Sequence, residues 1–332
     1  MKKHLVVFIL ISLFALAIGP GAAQSQQKPI VAKIGDILAP DHPNIKAYNY
    51  FAERVKERTK DRVQVQVFHS AQLGQSKDLY LGLQTGAVEM AKVSLAFVGE
   101  WIPQVFVFDL PYLFMDHNSV WKVFKSPLGK RFFTEIFPKQ GLVGLWWVDE
   151  GVRSIYANKP VRNPEDLKGM KIRVQPSEVQ IQAMNLMGGI STPMAYGEVY
   201  MGLQQKVVDG AENNPVALLS SRHYEVAKTF SLTEQFWLIC TVFASKKWWD
   251  TLPPDIQTQI SMAAEDAEKW HYDTYVAEEK QAINTLKEKG VQVITDVDKA
   301  AFEKRVQPVY DTFAKKYGTD ILEQVRSVVK AR

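Results

Sequence analysis

Hydrophobic and polar positions follow two different periods along the chain, and the change of period predicts strands that alternate with helices. Residues 30–37 form an apolar run typical of a buried strand, and residues 44–59 repeat apolar positions on one side of a helix. Residues 63–67 alternate apolar and polar positions, as a half-buried strand does. The same reasoning predicts helices near 76–86, 118–137, 178–187 and 196–206, and strands at 88–94, 142–148 and 171–174. Strands that alternate with helices indicate an α/β fold with mostly parallel sheet.

The C-terminal third contains longer elements. Residues 229–245 are rich in β-forming residues and are long enough to cross between two lobes. Residues 255–289 predict one long helix with a discontinuous apolar stripe. A strand at 291–294 and a helix at 299–316 complete the prediction.

One internal echo suggests two lobes of similar build. LGLQTGAVEMA at 81–91 and MGLQQKVVDGA at 201–211 agree at five of eleven positions, and each is a helix end turning into a short strand. Chance similarity of two helix–strand junctions is the alternative. Two such lobes would enclose a cleft, the usual place for a small ligand. Lys206 stands where the first copy has Gly86, so a left-handed turn there would cost about 1 kcal/mol relative to glycine.

The N-terminus has the layout of a secretory signal. A basic start, Met1 to His4, precedes 14 residues without a charge, and small residues end at Ala23. The apolar stretch is shorter than the roughly 20 residues that span a bilayer, so a retained anchor is the less favoured alternative. The sequence therefore predicts a leader at residues 1–23 and a mature protein in the periplasm.

Charge and motif content exclude several classes of function. The chain has 40 Lys plus Arg against 36 Asp plus Glu and no basic run, so nucleic acid is not an expected partner. The single cysteine, Cys240, lies in an apolar run that predicts a buried structural thiol. Spacings typical of zinc sites, nucleophile elbows and phosphate or dinucleotide loops are absent. No metal, cofactor or catalytic residue is predicted, which favours binding over catalysis.

Four ordered motifs identify a resemblance. They are GVR at 151–153, PEDLKGMKIRV at 164–174, TPMAYGEVY at 192–200 and VDGAENNP at 208–215, and segments 72–90 and 109–114 extend the match. With them the chain resembles the extracytoplasmic solute receptors of tripartite ATP-independent periplasmic (TRAP) transporters over nearly all of its mature length. The resemblance implies a periplasmic binding protein fold of two lobes, each a mostly parallel sheet flanked by helices, with a long shared helix. It places lobe I at 24–150 joined by about 239–278, and lobe II at 151–238 joined by about 279–332.

Three second-lobe residues are the leading ligand candidates. Arg173 lies among apolar neighbours in K-I-R-V, and a buried charge must be paired or face a ligand. Its planar fork suits a carboxylate, and the resemblance implies that role; a salt bridge within the lobe is the alternative. Arg153 matches the second pocket arginine of the family, or is a strand-edge charge facing water. Asn213 matches a ligand-binding amide, or is a helix cap.

Five further residues complete the predicted site. Glu150 would accept hydrogen bonds from ligand hydroxyls, or form a surface pair with Arg153. Tyr196 falls where the family has an aromatic pocket wall, or is a core aromatic. By the family pattern, Ser94, Gln75 and His42 face the cleft from first-lobe loops or strand ends.

The predicted function is a solute receptor and not an enzyme, a monomer that captures a small organic acid and delivers it to membrane permease subunits. A sugar acid such as glucuronate or galacturonate is the leading ligand, because neutral and accepting groups surround one anion clamp. A C4-dicarboxylate is the alternative, and it would want a second cationic site that the sequence does not place. A secreted enzyme acting on an acidic sugar, or a sensory receptor for a membrane kinase, would be other classes of protein.

Overall fold

The computed structural model describes residues 28–330, so the predicted leader lies outside the described residues. One mixed sheet runs through the molecule. Its strands are β1 (Ile30–Gly35), β2 (Val63–Phe68), β3 (Met90–Ser94), β4 (Leu142–Ala157), β5 (Lys171–Val174), β6 (Ile190–Pro193), β7 (Gly210–Asn213), β8 (Thr229–Ser245) and β9 (Gln292–Ile294).

The sheet consists of two similar halves. Its strand order is β2-β1-β3-β8-β4-β7-β5-β6, with β9 beside β8. Strands β1, β2 and β3 are parallel to one another, and so are β5, β6 and β7. The long strands β4 and β8 pair antiparallel to each other and join the two parallel groups. This architecture confirms the predicted α/β class.

Strand β4 is longer than the predicted strand at 142–148. It continues through a register shift between Asp149 and Val152 and ends at Ala157. Gly151 has φ 68° at this shift, a left-handed conformation that suits glycine at a bulge and lets the strand bend and continue. The polar run at 149–151 has the composition of a strand end, which is why the sequence pattern stopped too early. Strand β8 matches its predicted bounds.

Helices cover the sheet and account for most of the remaining chain. They are α1 (Pro43–Arg58), α2 (Ser76–Thr85), α3 (Leu95–Val98), α4 (His117–Lys125), α5 (Pro127–Arg131), α6 (Glu178–Met187), α7 (Val199–Gln204), α8 (Pro215–Ser220), α9 (Lys246–Trp249), α10 (Pro254–Glu288), α11 (Lys299–Tyr317) and α12 (Asp320–Lys330). Helix α10 is the predicted long helix, and it packs on α1, β4, α8 and β9, elements of both halves.

Two helical predictions need correction. The stretch 118–137 is not one helix, because α4 ends at Lys125 and Ser126 caps a new helix that begins at Pro127. Proline has no backbone N–H and fits the first turn of a helix better than its interior. Helix α12 was not predicted, although Leu322 and Val325 bury its apolar face.

The core lies on both sides of the sheet. Under α1 and α10, the buried Trp146 packs against Tyr48 and Phe51 at ring-centroid distances of 6.1 and 5.0 Å. On the opposite face of β4, Trp147 stacks on Phe124 at 4.6 Å. Cys240 is buried, as predicted. Within residues 28–330, no helix is both long and apolar enough to cross a membrane.

The two copies of the echo occupy corresponding places. Helix α2 leads into β3, which lies between β1 and β8, and α7 leads into β7, which lies between β5 and β4. Gly86 has φ 84° and Lys206 has φ 58°, so both turns are left-handed. The echo therefore reflects structural repetition.

Candidate ligand-binding site

A cavity of about 390 Å³ lies between the two halves of the sheet. Parallel strands of both halves direct their carboxyl ends towards it, which is where ligands bind in open α/β sheets. Seven of the eight predicted residues line this cavity: Gln75, Ser94, Glu150, Arg153, Arg173, Tyr196 and Asn213.

His42 is the predicted residue that does not line the cavity. Its Nδ1 accepts a hydrogen bond of 3.2 Å from the backbone N–H of Asn44 and caps α1. Burial lowers the pKa of the His42 imidazole to about 3, so the ring is neutral at pH 7. The structure thus places His42 in the packing behind the cavity.

Arg173 projects from β5 and is 2% exposed. Its Nε and Nη2 donate to the carbonyl of Met194 at 3.0 and 2.9 Å. Its Nη1 has no hydrogen-bond partner among the described residues, and Arg173 forms no ion pair within residues 28–330. Burial lowers the pKa of this guanidinium, although nearby Glu212 opposes the change. The predicted alternative, a salt bridge, is therefore not formed.

Arg153 is buried as well, but its fork is occupied. It forms an ion pair with Glu212, in which Nη2 lies 2.7 Å from Oε1, and Nη2 also donates to the Glu212 carbonyl at 2.8 Å. Its Nη1 donates to Oδ1 of Asn213 at 3.1 Å. Arg153 thus holds Asn213 in place, and it is neither a water-facing charge nor a surface partner of Glu150.

Tyr196 lies beside Arg173. The guanidinium carbon is 5.8 Å from the ring centroid, within the range of a cation–π contact. The Tyr196 hydroxyl shares a 2.6 Å hydrogen bond with Ser221. Arg153 and Arg173 line the cavity, and we call them, together with the Glu212 that pairs with Arg153, the second wall.

Three other buried ionisable residues, Asp36, Lys92 and Glu150, form a cluster that we call the first wall; Lys92 and Glu150 line the cavity, and Asp36 pairs with Lys92. The Lys92 Nζ lies 3.0 Å from Glu150 Oε1 and 3.5 Å from Asp36 Oδ1. Asn44 donates to Glu150 at 2.9 Å, and Tyr48 donates to Asp36 at 2.7 Å. Every charge of this wall therefore has a partner within the protein.

Ionisation differs within the first wall. Burial alone would raise the pKa of Glu150, but the Lys92 ammonium and other neighbours lower it to about 2. Burial raises the pKa of Asp36, against the opposing effect of Lys92. The pKa of Lys92 is raised despite its burial, because Asp36 and Glu150 stabilise the ammonium. Glu150 and Lys92 are consequently both charged at neutral pH.

Four buried polar atoms that belong to residues lining the cavity have no hydrogen-bond partner among the described residues. They are Gln75 Oε1, Ser94 Oγ, Arg173 Nη1 and Gln175 Nε2. A buried polar atom without a partner costs about 1–3 kcal/mol. These atoms offer both donors and acceptors to a polar ligand.

Apart from Ser76 and the exposed charged residues Lys77 and Glu100, the rest of the lining is apolar or aromatic. Phe97 and Leu238 contribute side chains, and Trp101 stacks on Tyr80 at a centroid distance of 4.4 Å. The two halves also approach each other directly, since a Cβ on Gly197 would lie 2.6 Å from Nε2 of Gln75. Gly197 therefore allows a close contact across the cavity.

Sequence reasoning missed Lys92, Glu212 and Asp36. Lys92 lies in M-A-K-V on a fully buried strand, the same signal that singled out Arg173 in K-I-R-V. Glu212 follows two small residues on β7 and is also fully buried. Asp36 comes directly after β1, at its carboxyl end.

The site contains no clustered metal ligands within the described part of the chain, where no group of three or more His, Cys, Asp or Glu side chains is arranged to hold a metal ion. Its charged groups pair with one another or face the cavity. The arrangement is suited to reversible binding of a polar anion.

Comparison with known proteins identifies relatives along nearly the whole chain. The model of the family described as bacterial extracellular solute-binding protein, family 7, matches residues 34–316. A C4-dicarboxylate-binding periplasmic protein DctP from Rhodobacter capsulatus is 35% identical over 306 residues, covering 90% of this chain and 91% of that protein.

Two solved structures of TRAP periplasmic solute-binding proteins are also similar. One, from Pseudomonas putida F1 with bound D-glucuronate, is 35% identical with a TM-score of 0.87 and covers 91% of this chain and 98% of its own. The other, from Xanthobacter autotrophicus Py2 with bound β-D-galacturonate, is 34% identical with a TM-score of 0.85 and covers 89% of this chain and 99% of its own.

Proposed function

We propose that this chain, which belongs to the bacterial extracellular solute-binding proteins of family 7, captures a sugar acid, with a hexuronate as the leading candidate. As a TRAP solute receptor it acts in the periplasm and passes its ligand to membrane permease subunits. The proposal includes removal of the leader at residues 1–23, a monomeric state and no catalytic step.

The observation that carries the proposal is the Nη1 group of Arg173. This buried donor belongs to a residue that lines the cavity and has no carboxylate partner among the described residues, whereas the guanidinium of Arg153 is paired with Glu212. A ligand carboxylate at Arg173 would receive charge-assisted hydrogen bonds. The hydrogen bond from Arg153 to Asn213 Oδ1 leaves the Asn213 amide N–H groups for the same ligand. Arg173 is thus the anion clamp of the proposal.

The other unpartnered atoms match hydroxyl groups. Gln75 Oε1 accepts, Gln175 Nε2 donates and Ser94 Oγ does either, while Glu150 supplies an ionised acceptor. A hexuronate presents one carboxylate and several hydroxyls, so it satisfies the clamp and these groups together. The bound hexuronates of the two solved relatives support this ligand class.

We propose that the two halves are lobes that close over the ligand, with lobe I at residues 24–150 joined by about 239–278 and lobe II at 151–238 joined by about 279–332. Strands β4 and β8 and helix α10 run through both lobes. A ligand held between Arg173 and the first wall contacts both lobes only when they are closed. Those contacts would drive the hinge motion.

A thermal-shift screen followed by calorimetric titration tests this function. Mature protein is screened against hexuronates, aldonates, C4-dicarboxylates, keto acids and neutral sugars. A ligand at 100 times its Kd should stabilise the fold by about 2.7 kcal/mol. The proposal expects this shift from hexuronates.

Other results of this screen would change or refute the proposed function. A shift with succinate alone would favour a C4-dicarboxylate receptor, the class named for the Rhodobacter relative. Recovery of a chemically altered ligand after incubation would indicate an enzyme. No shift with any carboxylate would contradict the anion clamp.

A further inference from the structure

One residue of each wall, Lys92 and Glu212, occupies a corresponding strand position in the two halves, and the two carry opposite charges. Met90 of β3 pairs with Ile34 of β1, and Gly210 of β7 pairs with Ile172 of β5, which is the spacing of the sequence echo. Two residues further along each strand, the first half has Lys92 and the second half has Glu212. Lys92 pairs with two carboxylates, whereas Glu212 pairs with Arg153 and lies near Arg173 without pairing with it.

The net charges of the two walls therefore differ. In the second wall, Glu212 neutralises one of the two arginines, and the wall carries +1. In the first wall, Glu150 at 3.0 Å neutralises Lys92, and the total is zero when Asp36 is protonated and −1 when it is ionised. The first wall is never positive.

We propose that Glu150, with Asp36 behind it, is a specificity-determining residue that excludes a second carboxylate from the first wall; this inference rests on the proposed sugar-acid function. Two lysines of the first half line the cavity; Lys77 is exposed to solvent, so the buried Lys92 is the cation that a dicarboxylate would need at that end. Its ammonium is already held by Glu150 and Asp36.

Exclusion follows from the charges that the second carboxylate would meet. Next to the buried Glu150 it would face a like charge, and like-charge juxtaposition strongly disfavours binding. A hydroxyl at the same place donates to the Glu150 carboxylate and carries no charge to repel. The first wall thus accepts polyhydroxylated monoanions and rejects dianions of the same length.

Wild-type protein provides the first test, by calorimetry with matched ligands. Galactarate differs from galactonate by a second carboxylate, and succinate differs from its monoamide, succinamate, in the same way. We expect the dianion of each pair to bind about tenfold more weakly, or worse. Equal or tighter binding of both dianions would overturn the inference without any mutation.

Glu150→Gln provides the second test, because it removes the charge and keeps the size. The variant should bind galacturonate more weakly and galactarate more tightly, shifting their affinity ratio by about tenfold or more. Glu150→Asp keeps the charge and should retain discrimination. Glu135→Gln, which removes a surface carboxylate paired with Arg131, is the matched control and should change neither affinity.

The outcomes separate the inference from the proposed function. A wild type that binds no sugar acid contradicts the function. A wild type that binds hexuronates, together with a folded Glu150→Gln protein of unchanged ratio, contradicts the role of Glu150 alone. Thermal unfolding of each variant confirms that it is folded, and the wild-type ligand pairs remain decisive if Glu150→Gln does not fold.

Discussion

The two walls of the cavity each hold a buried cation, Lys92 in the first and Arg173 in the second, but the two cations have different partners. Lys92 in the first wall has carboxylates 3.0 and 3.5 Å away. Arg173 in the second wall has a backbone carbonyl and no carboxylate among the described residues. The difference separates two states of a buried cation: Lys92 is paired within the protein, whereas Arg173 has a free donor for the proposed ligand.

The second wall contains the same contrast within itself. Arg153 and Arg173 are both almost fully buried, but Glu212 takes the fork of Arg153. Removing one partner of a buried pair leaves an uncompensated charge, whereas removing an unpaired charge does not. Substitution of the two arginines should therefore affect different properties.

Arg153→Met should give the largest effect, a loss of fold stability of about 3–5 kcal/mol, because Glu212 is then buried without its partner. Urea denaturation monitored by circular dichroism measures this loss. As a control, Arg153→Met combined with Glu212→Leu removes both charges and should recover much of the stability. A single variant as stable as wild type would mean that the ion pair is not needed for the fold.

Arg173→Lys should fold as wild type does but lose about a hundredfold in affinity for the sugar acid. A lysine ammonium cannot reproduce the bidentate fork or the contact with the Met194 carbonyl at the same time. Titration calorimetry measures affinity, and thermal unfolding without ligand measures stability. Unchanged affinity would contradict the clamp and with it the contrast between the two arginines.

Most of the fold was predictable from the sequence, because the spacing of apolar residues indicates which face of each helix or strand is buried. The bounds of α6, β8 and α10 agree with their predictions to within about a residue, which is the level at which helix-end assignments differ. Residues 118–137 were misjudged because the apolar period continues through Pro127. The predicted strand at 142–148 ends earlier than β4 does, because the bulge at Gly151 is a backbone feature that the pattern of apolar residues does not reveal.

The candidate site was also predictable only in part. A charge in an apolar strand predicted that Arg173 is either paired or facing a ligand, but only tertiary structure shows that Glu212 pairs with Arg153 instead. These groups are 59 residues apart in sequence, and neither motif encodes the pairing. His42 was placed in the cleft by family pattern alone, whereas its ring caps α1. The binding roles of all eight residues stay predictions until ligand is titrated.

A pH experiment sharpens the comparison of carboxyl groups near the two walls. Glu150 beside Lys92 has a pKa lowered to about 2, whereas burial raises the pKa of Asp109, which hydrogen-bonds Ser177 at 2.6 Å, to about 7. The native state binds the Asp109 proton more tightly than the unfolded state does. The contribution of Asp109 to the free energy of unfolding therefore falls as pH rises from about 4 to 7.

Asp109→Asn should remove that dependence. From pH 5 to pH 6.5, the stability of the variant should rise relative to wild type by roughly 2 kcal/mol. Urea unfolding at several pH values gives the difference directly, and it cancels the contributions of the other titrating groups. A difference that stays constant, or falls with pH, would contradict a raised pKa for Asp109.

The smallest expected effect tests the repetition that relates the two halves. Gly86 and Lys206 form matching left-handed turns with φ 84° and 58°, but only one is a glycine. Lys206→Gly should therefore stabilise the protein by up to about 1 kcal/mol, since a left-handed non-glycine residue is strained.

The reverse change, Gly86→Lys, should cost a similar amount, because a Cβ there would meet Lys247 only at 3.5 Å and sterics add little. Urea denaturation without ligand measures both changes. Destabilisation by Lys206→Gly would show that the lysine side chain contributes more than its backbone strain costs.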